Sequence, residues 1–200
     1  MNTTPSTEEK TEIAHPTLIM VRGIPGSGKS YVVAKLQESI GKDDVVVLDP
    51  DAIDYSSKEY TELSSTLTTE GVDSKLHPYR FLRANAHQAI DAHKIIIWNQ
   101  AFIDLDGFTK TVNNLSTYAL EHDTQLSTLV VEVEINGDIA KHRVAKRAAE
   151  GGHDVPEEAF NRFIDRYESF ATKGYTTVTV EGEGDVATSV SSVMQALEKL

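Results

Sequence analysis

A chain of 200 residues fits one domain at roughly 150 residues per domain, and 40% hydrophobic with 25% charged residues is the make-up of a folded globular protein. Its 19 Lys and Arg against 31 Asp and Glu leave a formal charge of −12, which repels polyphosphates and anionic lipid, so any bound anion must be met by a local device. The absence of cysteine excludes a disulfide scaffold, thiol catalysis and thiolate zinc sites; with no leader pattern and no apolar run near the roughly 20 residues of a membrane span, a cytoplasmic protein with no membrane partner is expected.

Residues 1–16 (MNTTPSTEEKTEIAHP) have almost nothing to bury and are expected to be a disordered tail, leaving 17–200 as a single domain. The first apolar run, LIMVRG, ends at Gly23 and reads as a buried strand. It passes directly into GIPGSGKS and then a helical stretch, Lys29 to Ile40. This is the GxxxxGK(S/T) pattern in the context its chemistry needs, a strand before and a helix after. Gly23, Gly26, Ser27 and Gly28 let backbone N–H groups curl around an anion, and the free amides of the helix start add positive dipole. Lys29 can reach the outer phosphates of a nucleotide, and the Ser30 hydroxyl suits Mg²⁺. A chance match in a chain of this length is on the order of 1%.

The second strand, VVVL at 45–48, leads into DPD, placing Asp49 and Asp51 at its C-terminal edge, where ligands of open α/β sheets bind. Two carboxylates one residue apart can divide the work: Asp49 on the shell of Mg²⁺, Asp51 as general base toward an acceptor hydroxyl. The plainer alternative is that Asp-Pro-Asp caps the following turn. Residues 55–74 are rich in Ser and Thr with weak periodicity, and an irregular excursion is expected there. A helix follows from His77 to His93, whose Arg80 and Arg83, beside Tyr79 and Phe81, offer either a short phosphate and stacking site or the outer face of a buried helix. His87 and His93, six apart, fit no single helical face for metal ligation.

The third strand, KIIIW at 94–98, precedes a helix from Phe108 to Glu121; Asp104 to Gly107 matches DxxG, a spacing too common to be informative, and no NKxD motif accompanies it. The fourth strand, 126–135, is followed by a helix from Ile139 to Glu150 that concentrates Lys141, Arg143, Lys146 and Arg147. Arg143 and Arg147 are four apart, so they share a face and can grip one anion. The turn Gly151 to Pro156, including His153, and a helix predicted over Pro156 to Ala171 complete the build of a lid, about 141–158, that closes cations over a transferring phosphate; a merely solvated face is the alternative. A fifth strand, 175–180, and a helix from Asp185 to Leu200 end the chain. Near-continuous apolar strands alternating with helices predict an α/β fold with a parallel sheet covered on both faces.

Three segments together, GIPGSGKS, VLDPD and RVAKRAAEGGHDVPEE with Arg162 downstream, resemble the zeta toxin group of P-loop kinases and the related polynucleotide kinase branch, small kinase domains of AAA type. The resemblance covers about residues 17–200. It implies a nucleoside-monophosphate-kinase-like P-loop NTPase fold: a three-layer α/β/α sandwich with a five-stranded parallel sheet in order 2-3-1-4-5 and a helical lid. It further implies ATP and Mg²⁺ as cofactors, with Lys29 and Ser30 on phosphate and metal, Asp51 activating the acceptor, and Arg143 and Arg147 as lid arginines. An inhibitory antitoxin-like partner is implied by the same likeness. The chain departs from the group after the third strand, where IIIWNQAF has Trp98 and Asn99 in place of an acidic residue; Asp49 can compensate, and Trp98 reads as core rather than acceptor pocket.

Three functions compete. The first is an ATP-dependent kinase acting on a hydroxyl of a small molecule, for which the resemblance suggests a nucleotide sugar such as UDP-N-acetylglucosamine. The second is a polynucleotide 5′-hydroxyl kinase, disfavoured because the dense basic cluster is already assigned to ATP and no further basic track is visible. The third is a nucleotide-binding regulator without turnover, suggested by the missing acid and opposed by Lys29, Ser30, Asp51 and the arginines.

Overall fold

A computed structural model describes residues 15–152 and 154–200, so all but the end of the expected tail, and His153, lie outside the described residues. Strand β1 (Thr17–Arg22) leads through the glycine loop to α1 (Lys29–Ile40); β2 (Val45–Leu48) is followed by α2 (Lys58–Thr69) and α3 (His77–Asp91). Then come β3 (Ile95–Asn99), α4 (Leu105–Glu121), β4 (Ser127–Glu134), α5 (Gly137–Ala149), α6 (Glu157–Arg166), β5 (Thr177–Glu181) and α7 (Val186–Leu197). The strands pair in parallel in the order β2-β3-β1-β4-β5, as the resemblance implied.

Alternation along the central strands builds two cores. Leu18, Met20, Ile96, Trp98 and Val130 face α3 and α4, while Ile19, Val21, Ile97, Leu129 and Val131 face α1 and α7. β1 and β3 are buried along their whole length because helices cover both faces. A smaller cluster of Ile24, Ala140, Val144 and Phe160 joins the glycine loop to α5 and α6. Among the described residues, no helix is long and apolar enough to cross a membrane. Trp98 is fully buried between Tyr79 and Phe102 and donates its Nε1–H to Gln100, the core position expected for it.

Two expectations are corrected. The segment 55–74 is not irregular, since α2 occupies most of it. Ser57 caps the helix by accepting from Tyr60 N, and the hydroxyls of Thr61, Thr66, Thr68 and Thr69 bond back to carbonyls four residues earlier. Those internal bonds satisfy polar side chains that normally compete with a helix. Tyr60 meets Phe81 of α3 edge to face, and Leu67 is buried. The helix expected over 156–171 stops at Arg166 because residues 167–170 are taken by partners in the sheet. Glu132 of β4 accepts from Phe170 N at 2.7 Å and from Ser169 Oγ at 2.6 Å, and Tyr167 is extended.

Candidate active site

The glycine loop leaves the buried end of β1 and returns as the first turn of α1. Gly28 takes a left-handed conformation (φ 99°) at the N-cap, and its carbonyl accepts from Tyr31 and Val32. Gly26 is also left-handed (φ 82°), and a Cβ there would drive into the carbonyl of Ala140 in α5. Backbone amides are thus presented where side chains cannot stand. Lys29 folds back over the loop, donating to Gly23 O at 2.9 Å and Ile24 O at 3.1 Å. Burial pushes its ammonium down from 10.5 to about 8; Asp49 and Asp51 favour the charge, and Arg147 adds to the depression.

At the ends of β2 and β3, Asn99 Nδ2 donates to Asp49 Oδ2 at 2.6 Å and more weakly to Ser30 Oγ at 3.4 Å. The other Asp49 oxygen accepts from Asp51 N at 2.9 Å, so this residue does cap the turn that follows β2 while its second oxygen faces the site. Asn99 Oδ1 is buried without a partner, as is Ser27 Oγ. Ser30 Oγ and the Asp49 carboxylate, held together by the Asn99 amide, offer oxygen donors with one acid. Such a set suits a hydrated Mg²⁺, which takes one or two carboxylates and completes its shell with water and phosphate. Loop amides, Lys29 and this oxygen set fit a magnesium nucleotide.

These groups open on a cavity of about 1000 Å³ whose walls include Lys29, Ser30, Asp49, Asp51, Asn99 and Arg147. Asp51 is exposed and lines the cavity; its backbone N–H makes the capping bond to Asp49, which leaves its carboxylate outside that bond. Arg143 does not share this wall with Arg147. Its Nη1 donates to Gly182 O at 3.0 Å, with Gly26 O at 3.5 Å, so it braces the glycine loop against the turn after β5. Of the two arginines expected to grip one anion, only Arg147 lines the cavity, while Arg143 is engaged by the carbonyls of the loop and of the turn after β5.

Residues 18–170 match the AAA domain family, which spans most of the chain. The chain belongs to this family. Among solved structures, a gluconokinase from Sinorhizobium meliloti 1021 is similar over 92% of this chain and 93% of its own, with 18% identity and a TM-score of 0.55. A deoxyadenosine kinase from M. mycoides with bound dATP is similar over 90% and 99%, with 19% identity and a TM-score of 0.53. A chain of the Pnkp1/Rnl/Hen1 RNA repair complex covers 82% of this chain with 48% of its own length, at 16% identity and a TM-score of 0.58. At such identities the likeness is one of fold, and that fold is the P-loop kinase sandwich. No curated protein matches the chain.

This AAA domain carries a feature its motifs do not announce. Arg22, the last residue of β1, is wholly buried and paired with Glu132, its direct register partner on β4. Arg22 also donates to Phe102 O and to Glu168 O, and its guanidinium is stacked 4.1 Å from the Tyr167 ring centroid and 3.6 Å from that of Phe170. One cation thus ties the root of the glycine loop, the loop after β3 and the segment leaving α6. A legible signal existed: an arginine and a glutamate, each inside an otherwise apolar strand, must find partners when the sheet is covered on both faces.

Proposed function

We propose that this AAA domain is an ATP-dependent phosphotransferase that moves the γ-phosphoryl group onto a hydroxyl of a small molecule. The observation that carries the reading is the convergence of Lys29, Ser30, Asp51 and Arg147 on one cavity large enough for an acceptor beside the nucleotide. Bound ATP with its Mg²⁺ supplies the phosphoryl group and an activated leaving group. The loop amides and Lys29 hold phosphate oxygens, and Ser30 with Asp49 holds the metal, steadied by the Asn99 amide. Asp51 accepts the proton of the acceptor hydroxyl, which adds to phosphorus as the bond to the bridging oxygen breaks. Arg147 offsets charge near the transferring group, and α5 with α6 forms the lid that excludes water.

Asn99 favours turnover over a purely regulatory role. In the position where an acid was expected, its amide holds Asp49 rather than leaving the carboxylate adrift. The resemblance to zeta toxins points to a nucleotide sugar as acceptor and to an antitoxin-like inhibitor as partner. Labelled ATP and Mg²⁺ offered with nucleotide sugars, nucleosides and a 5′-hydroxyl oligonucleotide in parallel test the reading. Label on a small acceptor supports it, label on the oligonucleotide alone supports the polynucleotide kinase, and nucleotide binding with no transfer to any acceptor supports the regulator.

A further inference from the structure

The cavity has a second wall that the phosphoryl-transfer chemistry does not use. Leu76 just before α3 and Tyr79, Arg80 and Arg83 on α3 line it; on α4, Gly107, Lys110, Thr111 and Asn114 do the same with helical spacing. The helices are locked together there by a hydrogen bond of 2.8 Å between Tyr79 Oη and Thr111 Oγ1. Three cations, Arg80, Arg83 and Lys110, therefore look into one cavity from two fixed helices.

None of them has an acidic partner among the described residues, and the same holds for Lys42, Lys75, Lys94, Arg162, Arg166 and Lys199; what distinguishes these three is that all of them line one cavity. Asp104 also lines the cavity, but its oxygens accept from Asp106 N and Gly107 N to cap α4. In a molecule with a formal charge of −12, Arg80, Arg83 and Lys110 gather three cations on two adjacent helices of a hollow whose lining also carries Asp49, Asp51 and Asp154. Burial and the like charge of Arg80 both work against the charged form of Arg83. An arriving anion would relieve both.

We propose that Arg80, Arg83 and Lys110 form an anion subsite for the acceptor, so that the hydroxyl compound phosphorylated at Asp51 itself carries a phosphate or diphosphate group. Arginine suits that task, since its fork matches phosphate oxygens in pairs. An anion held there fixes which end of the acceptor meets Asp51 in the same cavity. Calling the bound anion an acceptor rests on the phosphotransferase reading; the existence of the subsite does not.

Inorganic pyrophosphate is the probe, titrated calorimetrically without metal into wild type, Lys29→Ala, the double variant Arg80→Gln/Arg83→Gln, and Arg83→Lys. Two sites are expected in wild type. Lys29→Ala should remove the loop site alone, and the double variant should weaken the other by about tenfold or more. Arg83→Lys, which keeps the charge but not the fork, should recover part of the loss; thermal melting of each variant confirms folding. A single wild-type site abolished by Lys29→Ala, or a second site indifferent to Arg80 and Arg83, overturns the subsite. With active enzyme, the double variant should raise KM for phosphate-bearing acceptors far more than for uncharged ones; equal effects overturn the specificity role. Pyrophosphate binding that depends on the arginines without any transfer would defeat the kinase reading and leave the subsite standing. An oligonucleotide that binds through the same arginines in preference to every small phosphate ester would overturn the small acceptor.

Discussion

Lys29 sits where burial opposes its charge, and the consequence can be followed with pH. In the folded protein its proton leaves as pH rises through about 8, whereas the unfolded chain holds it to 10.5. Between those values the unfolded state binds more protons, so this group makes stability rise with pH across that window, and its burial penalty is fully present below it. Phosphate in the loop restores a partner and should pull the proton back. Nucleotide binding at about pH 8.5 is therefore expected to take up a proton, read as a difference in calorimetric heat between buffers of unlike ionisation enthalpy. Lys29→Met should abolish the difference; equal heats in wild type would contradict the assignment. Asp51 gives the complementary test, because its carboxylate faces the cavity and makes no hydrogen bond to the loop. Asp51→Asn should lower turnover by roughly 10²–10⁴-fold while nucleotide affinity stays within about twofold. A parallel loss of nucleotide affinity would place it with the metal instead of the acceptor.

At the level of elements, the Arg22 and Glu132 pair decides how β1, β4 and the segment after α6 are held. Glu132 is fully buried and accepts from Arg22, Phe170 N and Ser169 Oγ, so its removal strands a buried guanidinium and two further donors. Glu132→Ala should cost about 3–5 kcal/mol in denaturant unfolding, near the limit of what a domain of this size tolerates. The double replacement Arg22→Met/Glu132→Leu should recover much of that loss, because an apolar pair of similar volume leaves no charge unpaired. It should nonetheless loosen residues 167–170, visible as faster amide exchange of Phe170, whose N–H then lacks its acceptor. Unchanged exchange at Phe170 in the double variant would show that the tie to α6 is made elsewhere. The same elements explain where sequence reading stopped. The strands were legible because burial on both faces writes them as apolar runs, and the glycine loop because its chemistry is local. The end of α6 was not, since the group that unwinds it, Glu132, lies 37 residues before Ser169. Nor was α2, whose Ser and Thr residues favour a loop until their hydroxyls turn back onto the helix itself.

For the whole molecule, the charge of −12 and the placement of its cations belong to one argument. Lys29 and Arg147 face the loop side of a single hollow, and Arg80, Arg83 and Lys110 face the acceptor side. Arg80 and Arg83 stood out in the sequence as a short basic cluster, but their use depends on α3 and α4 converging, and Lys110 gave no signal of its own. A positive pocket within a negative body attracts small anions that can enter it and repels long polyanions that must run along the outside. Salt separates these cases. A polynucleotide carries condensed counterions, so each single-strand phosphate contact contributes about −0.7 to the slope of log affinity against log salt. A small phosphate ester has no such atmosphere and feels only screening, which is weak for groups inside a cavity. KM of the identified acceptor, measured over a KCl series at saturating nucleotide, is therefore expected to rise with a log–log slope below about 1. A slope above about 2 would mean that several backbone phosphates leave their counterions on binding, and that the acceptor is a nucleic acid after all.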